Sequence, residues 1–542
     1  MERNLEAVPV KNKEARKNRK ASILIFFILI FTAVQVLTAC AASSVVPDPS
    51  QNESRTENES GTENGSSRET EATVPEDAFD EMRKIIILRP QLELASVNTE
   101  DVKRVENAVN AALLKRNSEY YVEIQEIYAK NYESTAEKAL TSGQASIVFC
   151  DRLSKDFSDR ALMKKGLAAD LTELLPKSRT YSLIPENVLA LSKIDGKNYS
   201  IPICGEAALS YSLLLSKDFA DGYGLDPNAE AFKASDLLTL LKNLPTYLED
   251  ARNVDTVCPL FTGNSLVPAA YAGQIEFFDT ESAPLFGLDR ETLSSADVVR
   301  EADYPELLKL MARYRELGYI DSDFSTAPDE NGRTYAFWLK EKEAGEDYRY
   351  PNAYRIPLSM GSYLQESHAP RGSYVISSAL DAQGKQDALD FIADLFSIKE
   401  IADPYTYGIL NVDYTIGEDG KVRVAADRNY AHSAWESTSV VPLTPREADP
   451  DYYAESCEDM NRNAELSKAA GFLFDSTPVQ AEYDACIRLY KSQGILLEQG
   501  SYGREEVDGM LNAYIEALEE AGYDKVREEI DRQIESFRAG AE

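Results

Sequence analysis

Histidine is almost missing from this chain of 542 residues, which contains only His368 and His432. Two histidines this far apart in sequence cannot form a His-Glu-x-x-His zinc helix. The six cysteines include no Cys-x-x-Cys pair, so neither a zinc ribbon nor a thioredoxin-like redox centre is indicated. There is no Gly-x-Ser-x-Gly nucleophile elbow, no phosphate-binding Gly-rich loop and no dinucleotide fingerprint after the first strand. Asp321-Ser322-Asp323 and "GEDGK" at 417–421 are acidic, but neither completes a twelve-residue calcium loop. Basic residues are also few: 57 Lys and Arg stand against 92 Asp and Glu, a net charge of −35. Such a surface repels nucleic acid and anionic headgroups. No catalytic residue, metal or cofactor is therefore assigned. With so many carboxylates, a glycosidase-like pair stays open as an alternative.

The N-terminus concentrates what the rest lacks. Arg3, Lys11, Lys13, Arg16, Lys17, Arg19 and Lys20 precede an apolar run from Ala21 to about Val36, then small residues, then Cys40. A basic region, an apolar region and small residues before a cut site describe a secretory signal peptide over 1–39. Leu37-Thr38-Ala39-Cys40 resembles a bacterial lipobox, in which the cysteine is lipidated and becomes the first residue. Residues 40–80 are rich in Ser, Glu, Asn and Thr and offer little to bury, so they read as a disordered tether. These features predict a lipid-anchored chain on the outer face of the cell membrane, from a Gram-positive bacterium. The cysteines that remain, Cys150, Cys204, Cys258, Cys457 and Cys486, are odd in number and read as buried thiols.

Beyond the tether, strand and helix patterns alternate. "RKIIILRP" is a β-branched run closed by Pro90. "TEDVKRVENAVNAALLKR" places Val102, Val105, Val109 and Leu113 at helical spacing, with Thr99 or Asp101 as the expected cap. "YYVEIQEIYA" reads as a strand, "NYESTAEKALTSGQ" as a helix and "ASIVFC" as a buried strand. This β-α-β-α-β order predicts an α/β domain with a largely parallel sheet, whose ligands sit at the carboxyl ends of the strands. Near the C-terminus, Gly522 separates two amphipathic helices. Tyrosine is abundant (30, against 19 Phe and 2 Trp), and aromatic faces stack on the apolar faces of sugar rings.

The order of motifs carries a resemblance. "ASIVFCDR", "GLAADLTELL" and "SKIDGKNYSIPICGEAALSYSLLLSKDF" resemble the solute-binding proteins of bacterial ABC importers, the maltose-binding type included. "AFWLKEKEAGEDYRYPNAYRIPLSM" is similar to the family's second crossing region, and "SYVISSALDAQGKQDALDFIADLF" to its returning strand and helix. "GFLFDSTPV" and "EEAGYDKVREEIDRQIESF" resemble an LplA-like lipoprotein branch of Gram-positive bacteria. The resemblance implies a two-lobe α/β fold of the periplasmic-binding-protein type II with C-terminal helices. Lobe one would comprise 81–205 and 357–405, and lobe two 206–356 and 406–542. Hinges are expected near Pro202–Ala208 and Ala353–Pro357.

The same resemblance implies that Asp151, Arg152 and Glu206 hydrogen-bond sugar hydroxyls. Trp338 would stack on the ligand, and Phe261, Asn264 and Tyr271 would add contacts from lobe two. Trp435 is added from its loop setting alone. Where the family carries charged sugar contacts after the first strand, this chain has Arg89-Pro90-Gln91. The implied activity is capture without catalysis: a monomer closes on a small-molecule ligand, an oligosaccharide first and a peptide or other polar solute second. It then delivers that ligand to an ABC transporter permease. A secreted carbohydrate-active enzyme and a ligand-sensing lipoprotein remain as alternatives.

Overall fold

The computed structural model describes residues 76–541 except 235, 255–256, 264, 281, 321–333, 343–351 and 359–360. Among the described residues, fifteen strands run in chain order: β1 Arg83–Gln91, β2 Tyr120–Tyr128, β3 Ile147–Asp151, β4 Ile201–Pro202, β5 Ser210–Ser216, β6 Val257–Phe261, β7 Ile275–Phe277, β8 Gly287–Asp289, β9 Thr334–Lys342, β10 Ala353–Pro357, β11 Tyr363–Leu364, β12 Gly372–Ile376, β13 Tyr414–Ile416, β14 Val422–Val424 and β15 Glu465–Leu466.

The first sheet has the order β2-β1-β3-β12-β4. β1 runs parallel to β2 and β3, while β12 runs antiparallel to β3 and β4. Helices cover both faces of its parallel part, so Ile85, Ile87, Leu88, Ile147 and Val148 are all buried rather than alternating. The helix Thr99–Lys115 packs through Val102, Val105, Val109 and Leu113 as its spacing predicts. Its cap, however, is Asn98, whose side chain accepts the amides of Glu100 and Asp101. Asp195 and Gly196 turn Ile194 back onto Lys197, the hairpin that leads into β4.

The second sheet, β10-β5-β9-β6, supports a separate core. Leu213, Leu215 and Phe337 contribute one wall, Leu308 and Met311 another, and the C-terminal helices add Tyr514, Leu518 and Ile530. Those helices, Val507–Ala521 and Tyr523–Ala541, are separated by Gly522 at φ 96°, a left-handed conformation that glycine adopts without strain.

Among the described residues, three segments pass between the cores. Ala208 belongs to the first and Leu209 to the second; Leu358 belongs to the second and Leu364 to the first; Ala464 belongs to the first and Ala469 to the second. β11 pairs with β15 in parallel, and Leu209 bridges Tyr363, so the three crossings are held side by side. This corrects two expectations. Ala353–Pro357 is not a crossing, because as β10 it pairs with β5 inside the second sheet. The stretch 406–542 is also divided: Tyr430, Trp435 and Ala464 pack on the first core, and only Ala469 onward joins the second.

Candidate functional site

Glu206, in the first crossing, and Trp435, in the short turn Ala434–Glu436, line one cavity of about 340 Å³. Tyr407, His432, Asp449 and Tyr453 share its wall. Tyr453 is hydrogen-bonded to the Glu206 carboxylate, and burial above all pushes its phenol well above the ordinary tyrosine value. The lining therefore combines flat aromatic faces with convergent hydroxyl and carboxylate groups, the composition of a pocket that orients a polar ring-shaped ligand.

A buried polar chain holds the turn that carries Trp435. Glu436 Oε1 accepts the Ser433 amide at 2.9 Å and Ser433 caps the turn in return, a capping box. His432 stands between two carboxylates: its Nε2 is 2.6 Å from Glu126 and its Nδ1 3.2 Å from Glu436. Behind it, the fully buried Arg89 donates to the Tyr405 carbonyl at 2.7 Å, the Tyr430 hydroxyl at 3.2 Å and Ser437 Oγ at 3.1 Å. Its guanidinium also lies 4.1 Å from the centre of the Tyr405 ring. Burial alone would raise the Glu126 carboxyl, but His432 and Arg89 outweigh it and hold the group below the usual carboxylate range.

Arg89, Glu126, His432 and Glu436 were not among the residues expected at the site. The sequence signal available was the substitution of Arg89-Pro90-Gln91 for the family's charged loop. Its partner loop lies more than 300 residues away in the chain.

Asp151 and Arg152 diverge. Asp151 ends β3 and accepts Arg371 at 2.6 Å, and the Arg371 guanidinium lies 4.9 Å from the Trp435 ring centre. Asp151 thus flanks the cavity through Arg371. Arg152 turns inward, bonding the Leu191 carbonyl at 3.1 Å and forming a buried ion pair with Glu366 of the second crossing. Burial raises the Glu366 carboxyl, and Arg152 opposes that shift without cancelling it.

The lobe-two residues stand apart. Trp338 is buried beside Leu214 and Tyr335, and the Phe261 ring is 5.1 Å from that of Tyr335. Tyr271 is buried, with its hydroxyl donating to Asp303 at 2.7 Å. None of the three lines the cavity. Asn264, Cys40 and the tether lie outside the described residues.

None of the curated proteins matches this chain. A family model described as "Domain of unknown function (DUF3502)" matches residues 468–539. Among solved structures, the chain is similar to the N-glycan transport solute binding protein (NgtS) from Streptococcus pneumoniae, with a TM-score of 0.61 and 19% identity over 84% of this chain and 99% of that one. It is also similar to an HMO binding ABC-transporter associated solute binding protein from Bifidobacterium longum infantis, with a TM-score of 0.52 and 13% identity over 83% and 98% of the two chains. An extracellular solute-binding protein from Bifidobacterium longum subsp. infantis aligns with a TM-score of 0.51 and 14% identity over 84% and 99%. With two α/β cores, three crossings between them and coverage of nearly the whole of each neighbour, this chain has the two-lobe fold of the ABC-transporter solute-binding proteins.

Proposed function

We propose that this chain is a lipid-anchored solute-binding protein outside the cell membrane, capturing a saccharide by lobe closure and presenting it to an ABC transporter permease. The observation that carries the reading is the cavity at the first crossing, where Glu206 of the hinge segment meets Trp435 and Tyr453. A ligand seated there touches the segment that must bend when the lobes move. Its contacts with the closed arrangement supply the differential affinity that shifts the open–closed equilibrium. The ring faces suit the apolar face of a pyranose, and the carboxylates accept from its hydroxyls. Bound ligand is released unchanged.

Cys40 supports the anchoring part of the reading, since a multiply acylated cysteine holds a protein on a bilayer. The test is a thermal-shift and calorimetric screen of the full-length chain in detergent against saccharides, peptides and amino acids, with chromatographic recovery of every ligand. A saccharide that binds and is recovered intact supports the proposal. A saccharide that is cleaved overturns it in favour of an enzyme, and binding of peptides alone overturns the ligand class.

A further inference from the structure

Resting on the saccharide reading of this cavity, we infer that it takes the end of a short, uncharged saccharide and rejects chains bearing carboxylate, sulfate or phosphate there. The charge balance of the wall sets this selectivity. Among the described residues, the basic side chains at or beside the cavity already face carboxylates. Arg371 is 2.6 Å from Asp151, and Arg446 is 3.6 Å from Asp449. His432 has a carboxylate on each ring nitrogen, Glu126 and Glu436. Glu206 adds a further carboxylate, directed at the Tyr453 hydroxyl. An anionic ligand would have to break one of these pairs or sit beside Glu206 and Asp449 in a partly desolvated pocket, where like charges repel strongly. The chain's net charge of −35 adds long-range repulsion.

Neutral hydroxyls meet the opposite situation, because carboxylates already held by a cation or a phenol still have lone pairs to accept them. Size sets the second limit. A volume of about 340 Å³ lies at the low end for ligand pockets, room for one or two sugar rings, so further rings extend out of the cavity.

The experiment is calorimetric titration of the full-length chain in detergent with lactose, N-acetyllactosamine, maltose, cellobiose and mannobiose. Each is paired with an acidic counterpart: 3′-sialyllactose for lactose, sialylated N-acetyllactosamine, and the terminal uronic acid form of each of the other three. A trisaccharide of whichever neutral series binds is then added. The expected result is binding of at least one neutral disaccharide, with its acidic counterpart tenfold or more weaker at low salt. Adding a third ring should change affinity less than threefold. Equal or tighter binding of the acidic member overturns this inference and leaves the saccharide reading intact. A steep gain at the third ring overturns the size limit. Failure of every saccharide, neutral and acidic, overturns the saccharide reading itself and this inference with it.

Discussion

Gly372 lies directly beneath the main-chain carbonyl of Trp435, so close that a Cβ at position 372 would collide with that oxygen and with the edge of the Phe149 ring. The first residue of β12 thus sets how near the aromatic turn of the cavity can approach the first sheet. Gly372→Ala should push the turn outward, weaken saccharide binding by tenfold or more and cost about 1–3 kcal/mol of stability through overpacking. Titration together with urea denaturation checks both effects. Unchanged affinity would show that the placement of Trp435 does not govern the site.

Trp435 itself rests edge-on against Phe149, with ring centres 5.8 Å apart, and carries Arg371 beside its ring. Removing the ring in Trp435→Ala should reduce saccharide affinity tenfold to a hundredfold. Trp435→Phe, which keeps an aromatic face, should recover most of that loss. Equal affinities for the two variants would exclude stacking as the role of this side chain.

Arg152 separates a ligand contact from an internal support. Its ion pair with Glu366 is buried, so Arg152→Ala leaves an uncompensated carboxylate in the hinge region and should destabilise the chain by about 3–5 kcal/mol. Combining Arg152→Met with Glu366→Gln should restore much of that stability. If the double variant is stable yet binds saccharide as the parent does, Arg152 is structural. If it is stable and no longer binds, Arg152 contacts the ligand.

A pH dependence follows from Glu498. This carboxyl is buried beneath the C-terminal helices and bonded by the hydroxyls of Tyr304 at 3.1 Å and Tyr490 at 2.8 Å; burial pushes its pKa up to about 7. An unfolded glutamate titrates near ~4.3, so between that value and about 7 the folded state holds the proton that the unfolded state has released. Its contribution is therefore greatest below pH ~4.3 and is lost as pH rises through about 7, on the order of 3 kcal/mol in all. Denaturant titrations from pH 5 to 8 should show that decline, and Glu498→Gln should flatten it. A parent profile flat over this range, or a variant as steep as the parent, contradicts the assignment.

Replacing Cys40 by Ala removes the only thiol that the lipobox-like tetrapeptide offers for acylation. In a Gram-positive host, fractionation followed by immunoblotting should then find the protein as an uncleaved precursor or in the medium. Recovery of the mature, membrane-bound form would sink the lipoprotein reading.

What the sequence determined alone is local. β-branched runs such as "IIIL", the spacing of Val102 to Leu113, the Asp-Gly turn and Gly522 each act within a few residues, where period and turn chemistry decide the outcome. The order of these signals carried the α/β class and the two-lobe architecture; it pointed to Glu206, and a loop setting pointed to Trp435, and the two line one cavity. Even locally there were competing solutions: the cap before Val102 fell to Asn98, because its side chain reaches two free amides.

Only the tertiary structure decided which distant side chains meet. Two residues adjacent in sequence, Asp151 and Arg152, point to different partners because the strand ends between them. Arg89 and Glu126, at the ends of neighbouring strands, meet His432 and Ser437 from a loop more than 300 residues later. No periodicity encodes such pairings. They follow from burial, since a charge taken out of water must find its partner wherever the chain brings one.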